Sequence, residues 1–242
     1  MRKAFTTSFL AGSILLGAMA HAQTRFRIGP TVGYNFSSCR IALPDLPDHR
    51  SISTSYRSGA EAGLVAQVSV SDHLAVQPAV LYAQKGYGLA QQYYNASADH
   101  TFREEYAFRF DYLTLPVNLV YSHRPAGRGA QVFAGPYAGY LLGGTRTTTT
   151  SDNSGAGSKV VDRDRYANTP NGKFPSRRPD LGFQAGVGYG FAGGLQVQAG
   201  YSQGVRTVGA AYEAWGSGTV APPTYRNHGF QVAVAYLFGP KS

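Results

Sequence analysis

The chain has 242 residues, a formal charge of +9 and only 14% charged residues, set against 30 glycines, 17 tyrosines and 13 phenylalanines. A single cysteine, Cys39, excludes an intramolecular disulfide framework, and no apolar run after the first residues is long enough for a membrane-spanning helix. The mean hydropathy of −0.22 does not exclude a membrane, because barrel strands dilute their apolar residues with interior-facing ones.

Arg2 and Lys3, the apolar run Phe9 to Ala18 and Ala20-His21-Ala22 read as a cleavable export signal over residues 1–22. The mature chain, 23–242, is then expected as one domain beginning at Gln23. The first predicted strand, Thr24 to Phe36, carries Phe26, Ile28, Pro30, Val32, Tyr34 and Phe36 at one parity, which only an extended chain puts on one face. Residues 37–57, with Pro44, Pro47 and several serines, read as a long loop. Ser58 to Val70 sets Ala62, Leu64, Ala66, Val68 and Val70 against Glu61, Val65, Gln67 and Ser69. Ser71-Asp72-His73 turns the chain into Leu74 to Gly86, where Leu74, Val76, Pro78, Val80 and Tyr82 oppose Gln77, Ala79 and Lys85.

A medium loop, 87–103, precedes the fourth strand, Glu104 to Tyr121. There Leu113, Leu115, Val117, Leu119 and Tyr121 alternate with Tyr112, Thr114, Pro116 and Asn118. Phe108 and Phe110 break that parity, which implies either a bulge near Asp111 or a strand top beyond the membrane. His123 to Gly129 is a short turn, Ala130 to Thr147 the fifth strand, and 148–178 the longest irregular segment. The sixth strand, Asp180 to Phe191, alternates Leu181, Phe183, Ala185, Val187, Tyr189 and Phe191 with Gln184 and four glycines. Ala192-Gly193-Gly194 leads to the seventh, Leu195 to Val208, with Leu195, Val197, Ala199 and Tyr201 outward. A last loop, 209–225, holds Trp215 and Pro222-Pro223 before the eighth strand, Arg226 to Phe238.

Connections that run long, short, long, short along eight strands define the expected fold. It is an all-β, eight-stranded antiparallel up-and-down transmembrane barrel with short periplasmic turns and long extracellular loops. So narrow a bore is filled by its own side chains. Gln67, Gln77, Lys85, Thr114, Asn118, Gln184, Gln196, Gln198 and Gln231 are expected to line it and satisfy one another by hydrogen bonds.

Several motifs resemble the PorT-like outer-membrane β-barrel family. Tyr112-Leu-Thr-Leu-Pro-Val-Asn-Leu-Val-Tyr121 is similar to its strand motif Tyr-Leu-x-Ile-Pro-Leu-Leu-Leu-Lys-Tyr. Gln77-Pro78 through Leu81-Tyr82 and Gly86, Gly135-Pro136-Tyr137, Gly186-Val-Gly188-Tyr189, Tyr201-Ser202-x-Gly204 and the aromatic end at Phe238 match it as well. The chain departs at Ala79, where that family has an inward glutamate, and at Val120, where it has lysine. The resemblance implies an integral outer-membrane protein of Gram-negative bacteria, structural, binding or secretion-associated, with no interior charge network through those two positions.

The remaining motifs argue against catalysis and cofactors. Gly186-Val-Gly188-Tyr-Gly190 lies within a strand and opens no helix, so it is no phosphate loop. Asp152-Asn-Ser-Gly155 and Asp162-Arg-Asp164-Arg165 lack the ligand count of a calcium loop. His49, His73, His100, His123 and His228 form no metal-like pair. A rim enzyme acting on lipid or peptide would have to use His49 with Asp48, Ser51 and Ser53, or His100 with Asp99. No catalytic, cofactor or metal residues are therefore assigned. The favoured role is recognition or scaffolding through four long loops, with a narrow pore as the alternative. Arg40, Arg50, Arg57, Lys159, Arg163, Arg165, Lys173, Arg177 and Arg178 gather basic charge in those presumed loops, which suits lipopolysaccharide phosphates or a secretion partner. Export makes nucleic acid an unsuitable partner, and Cys39 is expected in a loop as a bystander thiol.

Overall fold

The computed structural model describes residues 26–42, 51–95, 100–152, 157–162, 178–208 and 224–239. Its strands are β1 (Phe26–Ala42), β2 (Ser51–Ser69), β3 (Leu74–Asn95), β4 (His100–Arg124), β5 (Arg128–Asp152), β6 (Gly157–Asp162), β7 (Pro179–Gly190), β8 (Leu195–Gly204) and β9 (Thr224–Tyr236). Every ladder is antiparallel, and the order β4-β3-β2-β1-β9-β8-β7-β5 closes on itself through β4–β5. Eight strands thus form the expected ring, while β6 folds back on the upper end of β5 alone.

Alternation makes the wall. On β4, Tyr121, Leu119, Val117, Leu115 and Leu113 face out, and Val120, Asn118, Thr114 and Tyr112 are buried within the bore. The same parity sends Val32, Leu64, Val80, Val132, Phe183, Val187 and Val232 outward, each about half exposed or more. An apolar band on the outside and ladders with no open edge are what hydrocarbon demands of a strand protein. Aromatic side chains flank the band. Tyr189–Phe191 and Tyr236–Phe238 lie edge to face at 4.9 and 4.8 Å near the short turns, and Tyr201 lies 5.1 Å from Phe230 near the other end.

The three short connections fall where expected. Residues 70–73 hold one, Pro125–Gly127 form a 3-10 turn, and Gly194 takes φ 93°, a backbone that disfavours any side chain. Gly186 and Gly200 serve packing instead, since a Cβ on either would meet the Phe133 ring at 2.6 or 2.8 Å.

Four presumed loops need correction. The segment 37–57 is largely strand, with 37–42 in β1 and 51–57 in β2; 87–103 is strand up to Asn95 and again from His100. β5 runs on to Asp152 and pairs with β6 inside the segment 148–178, and β9 begins at Thr224. These stretches lie above the apolar band, where the outward face meets water. Alternation is then not required, so the segments read as polar coil. The signal over 1–22, Trp215, Pro222-Pro223 and the cores of the loops (43–50, 163–177, 209–223) lie outside the described residues.

Of the two expectations for Phe108 and Phe110, the bulge near Asp111 is present, although the alternation of β4 itself is unbroken. Both rings point inward with Tyr112 in unbroken alternation, at 1% and 8% exposure. A bulge does fall beside Asp111, but on the partner strand: Asp111 pairs with Gly143 and Tyr112 with Leu141, leaving Leu142 unpaired on β5. The interior is therefore not built only of small and amide residues.

Arginine in place of Val187, 59% exposed in the apolar band, is expected to cost roughly 2–4 kcal/mol of folding free energy. Denaturant titration of the folded barrel in lipid vesicles checks this, and equal stability of Val187→Arg and wild type would mean the assigned facing is inverted.

Candidate functional site

Inward side chains cross the bore in tiers. At the short-turn end Gln131 donates from Nε2 to the Gly127 carbonyl at 2.8 Å and to Ser122 Oγ at 3.2 Å. Gln196 Nε2 donates to Gln131 Oε1 at 2.6 Å, Gln77 Nε2 to Gln196 Oε1 at 2.8 Å, and Gln198 Nε2 to Gln77 Oε1 at 3.1 Å. A primary amide both donates and accepts, so a chain of them can close across the lumen without charge. One tier higher, Gln184 Nε2 donates to Asn118 Oδ1 at 2.9 Å and Gln231 Nε2 to Gln184 Oε1 at 3.4 Å. The expected glutamine lining is present. Gln67 and Thr114 are buried in it too, but no protein group bonds their side-chain polar atoms.

Above the amides sits a charged tier. Lys85 Nζ, from β3, lies 3.4 Å from Asp180 Oδ2 on β7, with side chains 14% and 0% exposed. The ammonium stands 4.5 Å from the Tyr137 ring centre and 5.4 Å from that of Tyr112, whose π faces attract it. Asn227 Nδ2 donates to Asp180 Oδ2 at 3.1 Å and the Tyr137 hydroxyl to Asp180 Oδ1 at 3.4 Å. Glu61, also buried, is within electrostatic reach of Lys85. An interior charge network therefore exists, although Ala79 and Val120 carry none of it. Asp180 meets the Lys85 cation directly in a space of low dielectric. The tier can hold charge and fix strand positions, and Asp180 in it is shut off from solvent.

The uppermost tier is apolar. The Tyr87 and Phe108 rings lie tilted at 4.7 Å, Phe110 stacks at 5.9 Å from Phe108, and Leu141 and Cys39 pack with them. Cys39 is 0% exposed on β1, not a loop thiol. This cluster joins two leaves of wall. β1 and β2 pair only as far as Ser37–Arg57; beyond that β1 continues with β9, and β2 with β3. Likewise β5 leaves β7 above Tyr140–Pro179 and continues with β4 and β6. A tall leaf of β2, β3, β4, β5 and β6 faces a short leaf of β9 and β1, with Ile41 and Tyr225 of the short leaf packed against the aromatic cluster.

The tall leaf rises well past the apolar band. β4 has 25 residues, about 80 Å of chain at 3.3 Å per residue, where roughly 9–11 residues suffice to span. Its outward column turns from Leu113 to Asp111 and Arg109, and Asp111 accepts a 2.7 Å hydrogen bond from the Tyr82 hydroxyl at that boundary. Higher still, Gln91 Nε2 donates to Glu104 Oε2 at 2.8 Å, and the Tyr106 hydroxyl donates to the same carboxylate. Burial first, and Glu104 second, push the Tyr106 phenol up to about 12, so it remains a donor at any physiological pH.

His49, Asp48 and Asp99 lie outside the described residues, Ser51 and Ser53 belong to β2, and His100 starts β4. Among the described residues, no group of three or more His, Cys, Asp or Glu could hold a metal ion. Of the basic residues placed in loops, Arg40 and Arg57 lie in β1 and β2, Lys159 in β6, and Arg178 beside β7, where its Nη1 donates to the Tyr140 hydroxyl at 2.7 Å. Arg50, Arg163, Arg165, Lys173 and Arg177 are outside the described residues. Sequence reasoning missed Gln131, Asp180, Tyr112, Tyr137 and Asn227 as a set. Parity alone marks Asp180 and Tyr112 as inward, opposite to Leu181 and Leu113. No local signal brings Asp180 to Lys85, 95 residues away.

Lys85→Met leaves Asp180 without its cation and is expected to cost about 3–5 kcal/mol, with Asp180→Asn in the same chain recovering part of the loss. Denaturant titration of wild type and the two variants checks it; an unchanged Lys85→Met midpoint would show that the pair does not hold the wall. Cys39 should resist a maleimide reagent in the folded barrel and react once the barrel is unfolded, which mass spectrometry reads directly.

Residues 21–208 match a family model described as outer membrane protein beta-barrel domain. No curated protein matches the chain. Solved structures similar to it include Ail, the attachment invasion locus protein of Yersinia pestis, in complex with the heparin analogue sucrose octasulfate, at 10% identity over 88% of this chain and 99% of that one, TM-score 0.39. OprG from Pseudomonas aeruginosa is similar at 13% identity over 91% and 98%, TM-score 0.43. Neisserial surface protein A is similar at 12% over 87% and 97%, TM-score 0.37.

Proposed function

We propose that this chain, which belongs to the outer membrane protein beta-barrel domain family, is a non-catalytic component of the envelope that acts through its long-loop end rather than through its lumen. The observation that carries this reading is the asymmetry between the two. The bore is crossed by bonded amides, a buried ion pair and an aromatic cluster, while the tall leaf stands clear of the apolar band. Surface put beyond the membrane at that expense of ordered chain serves contact with something outside the barrel.

The outer membrane is where such a barrel resides. Export by a signal cleaved after Ala22, a mature domain of 23–242 and an extracellular position for the long loops complete the proposal. PorT-like motifs from Tyr112 to Tyr121 and at Gln77-Pro78 support a finer role as a structural, binding or secretion-associated protein. The basic residues near the long-loop end suit anionic glycolipid or an acidic partner protein. A water path along the lumen would have to break the Gln77–Gln196–Gln131 chain and separate the two leaves.

Purified protein in planar bilayers is expected to give no steady conductance, and replacing 163–177 by a short Gly-Ser turn should leave heat-modifiable folding intact. The same replacement should remove proteins that co-purify with the wild-type barrel from solubilised outer membranes. Stable single-channel steps that survive the replacement would install the pore reading, and an unchanged co-purifying set would remove that loop from the recognition surface.

A further inference from the structure

Two arginines face each other where a ladder ordinarily avoids like charges. Arg40 of β1 and Arg226 of β9 are direct cross-strand partners, and both are exposed. Both continue outward columns, Arg40 after Phe36 and Arg226 before Phe230. Like charges directly opposite on one face destabilise a sheet. Among the described residues the ion pairs are Lys85–Asp180 and Arg103–Glu105, so no carboxylate there relieves this pair.

More positive charge gathers around it. Arg206 comes just after β8 and is exposed; the hydrogen bond from Val208 N to the Tyr225 carbonyl at 2.8 Å brings its segment alongside Tyr225 and Arg226. Directly below lies an aromatic shelf. Phe36 and Phe230 are cross-strand partners, and Tyr201 and Tyr56 lie 5.1 and 6.2 Å from the Phe230 ring. From Phe36 to Arg40, as from Phe230 to Arg226, the chain climbs four residues, about 13 Å along a tilted strand at 3.3 Å per residue. That distance carries the guanidinium groups from the edge of the hydrocarbon into the headgroup layer.

We propose that this patch on β8, β9, β1 and β2 docks a phosphorylated glycolipid of the leaflet at the long-loop end. The arginines take its phosphates, and the aromatic shelf with Val232 and Val234 takes the base of its acyl chains. Guanidinium matches phosphate bidentately, and several phosphates on one rigid headgroup relieve several arginines together. A soluble polyanion has no use for the apolar shelf, whereas a lipid presents both chemistries at the observed depth. The assignment deepens the reading of the long-loop end as the working surface and rests on that end facing the glycolipid leaflet. In nanodiscs both faces are open, so binding there is independent of sidedness in the cell.

The test embeds the folded full-length mature barrel in phosphatidylcholine nanodiscs doped with bis-phosphorylated or fully dephosphorylated lipid A, and counts retained lipid by native mass spectrometry. Wild type should retain the phosphorylated form preferentially. Arg40→Gln with Arg226→Gln should weaken that retention roughly tenfold or more, the scale of one lost charged hydrogen bond. Arg103→Gln, on the opposite leaf and paired with Glu105, should leave it unchanged. Arg40→Lys with Arg226→Lys should keep an intermediate share, which separates loss of charge from damage to the fold. Equal retention of the two lipids, or no effect of the glutamine pair in a heat-modifiable barrel, overturns the site. Complete displacement of lipid A by a soluble sulfated polysaccharide of equal charge overturns the lipid assignment in favour of a general polyanion surface.

Discussion

A backbone N–H or C=O left unpaired in hydrocarbon costs several kcal/mol, and the rest of this structure depends on avoiding that cost. An open sheet always has two edges. Pairing β1 with β9 and β4 with β5 removes both, so the ladder returns to its start after eight strands. The isolated bridge between Ile28 and Phe238 carries the closure down to the last described residues of β1 and its neighbour.

Closure at eight strands sets the radius, and the radius sets the interior. There is room for one layer of side chains from each wall, meeting at the axis. Glutamines solve this near the short turns because they reach far and bond one another without charge. Gly186 and Gly200 solve it where the Phe133 ring needs space. Lys85 and Asp180 solve it by meeting from opposite walls, with Tyr112 and Tyr137 shielding the ammonium. Each solution fills the bore with side chains that meet across the axis.

Outside, the lipid-facing band and the water-facing leaf obey different rules. Within the band every second residue must be apolar, and the register of one strand is thereby fixed against the next. Above it, the outer face of the tall leaf meets water while Tyr87, Phe108 and Phe110 stay buried on its inner face, and higher still hydrogen bonds such as those from Gln91 and Tyr106 to Glu104 are the organising contacts. The transition is abrupt on β4, between Leu113 and Asp111, and on β1, between Phe36 and Arg40. At that level, beyond the last outward aromatic residues of β1 and β9, Arg40 and Arg226 stand opposite one another.

The sequence by itself determined the features that a period of two can encode. Among them are the number of wall-forming strands, the outward columns from Leu113 to Tyr121 and from Leu181 to Phe191, the three short turns, and the amides that point inward. Each is set within one segment by the chemistry of alternate residues. The tertiary structure decided whatever depends on two segments meeting. Asp180 reaches Lys85, Cys39 enters an aromatic core, a bulge at Leu142 answers Asp111, and Arg40 meets Arg226 only because closure and tilt bring distant strands together. The tall leaf was illegible for a related reason. Where water bathes both faces, no solvent contrast imprints alternation on the chain, and a polar strand such as Ser51 to Arg57 cannot be told from a loop until its partner is in place.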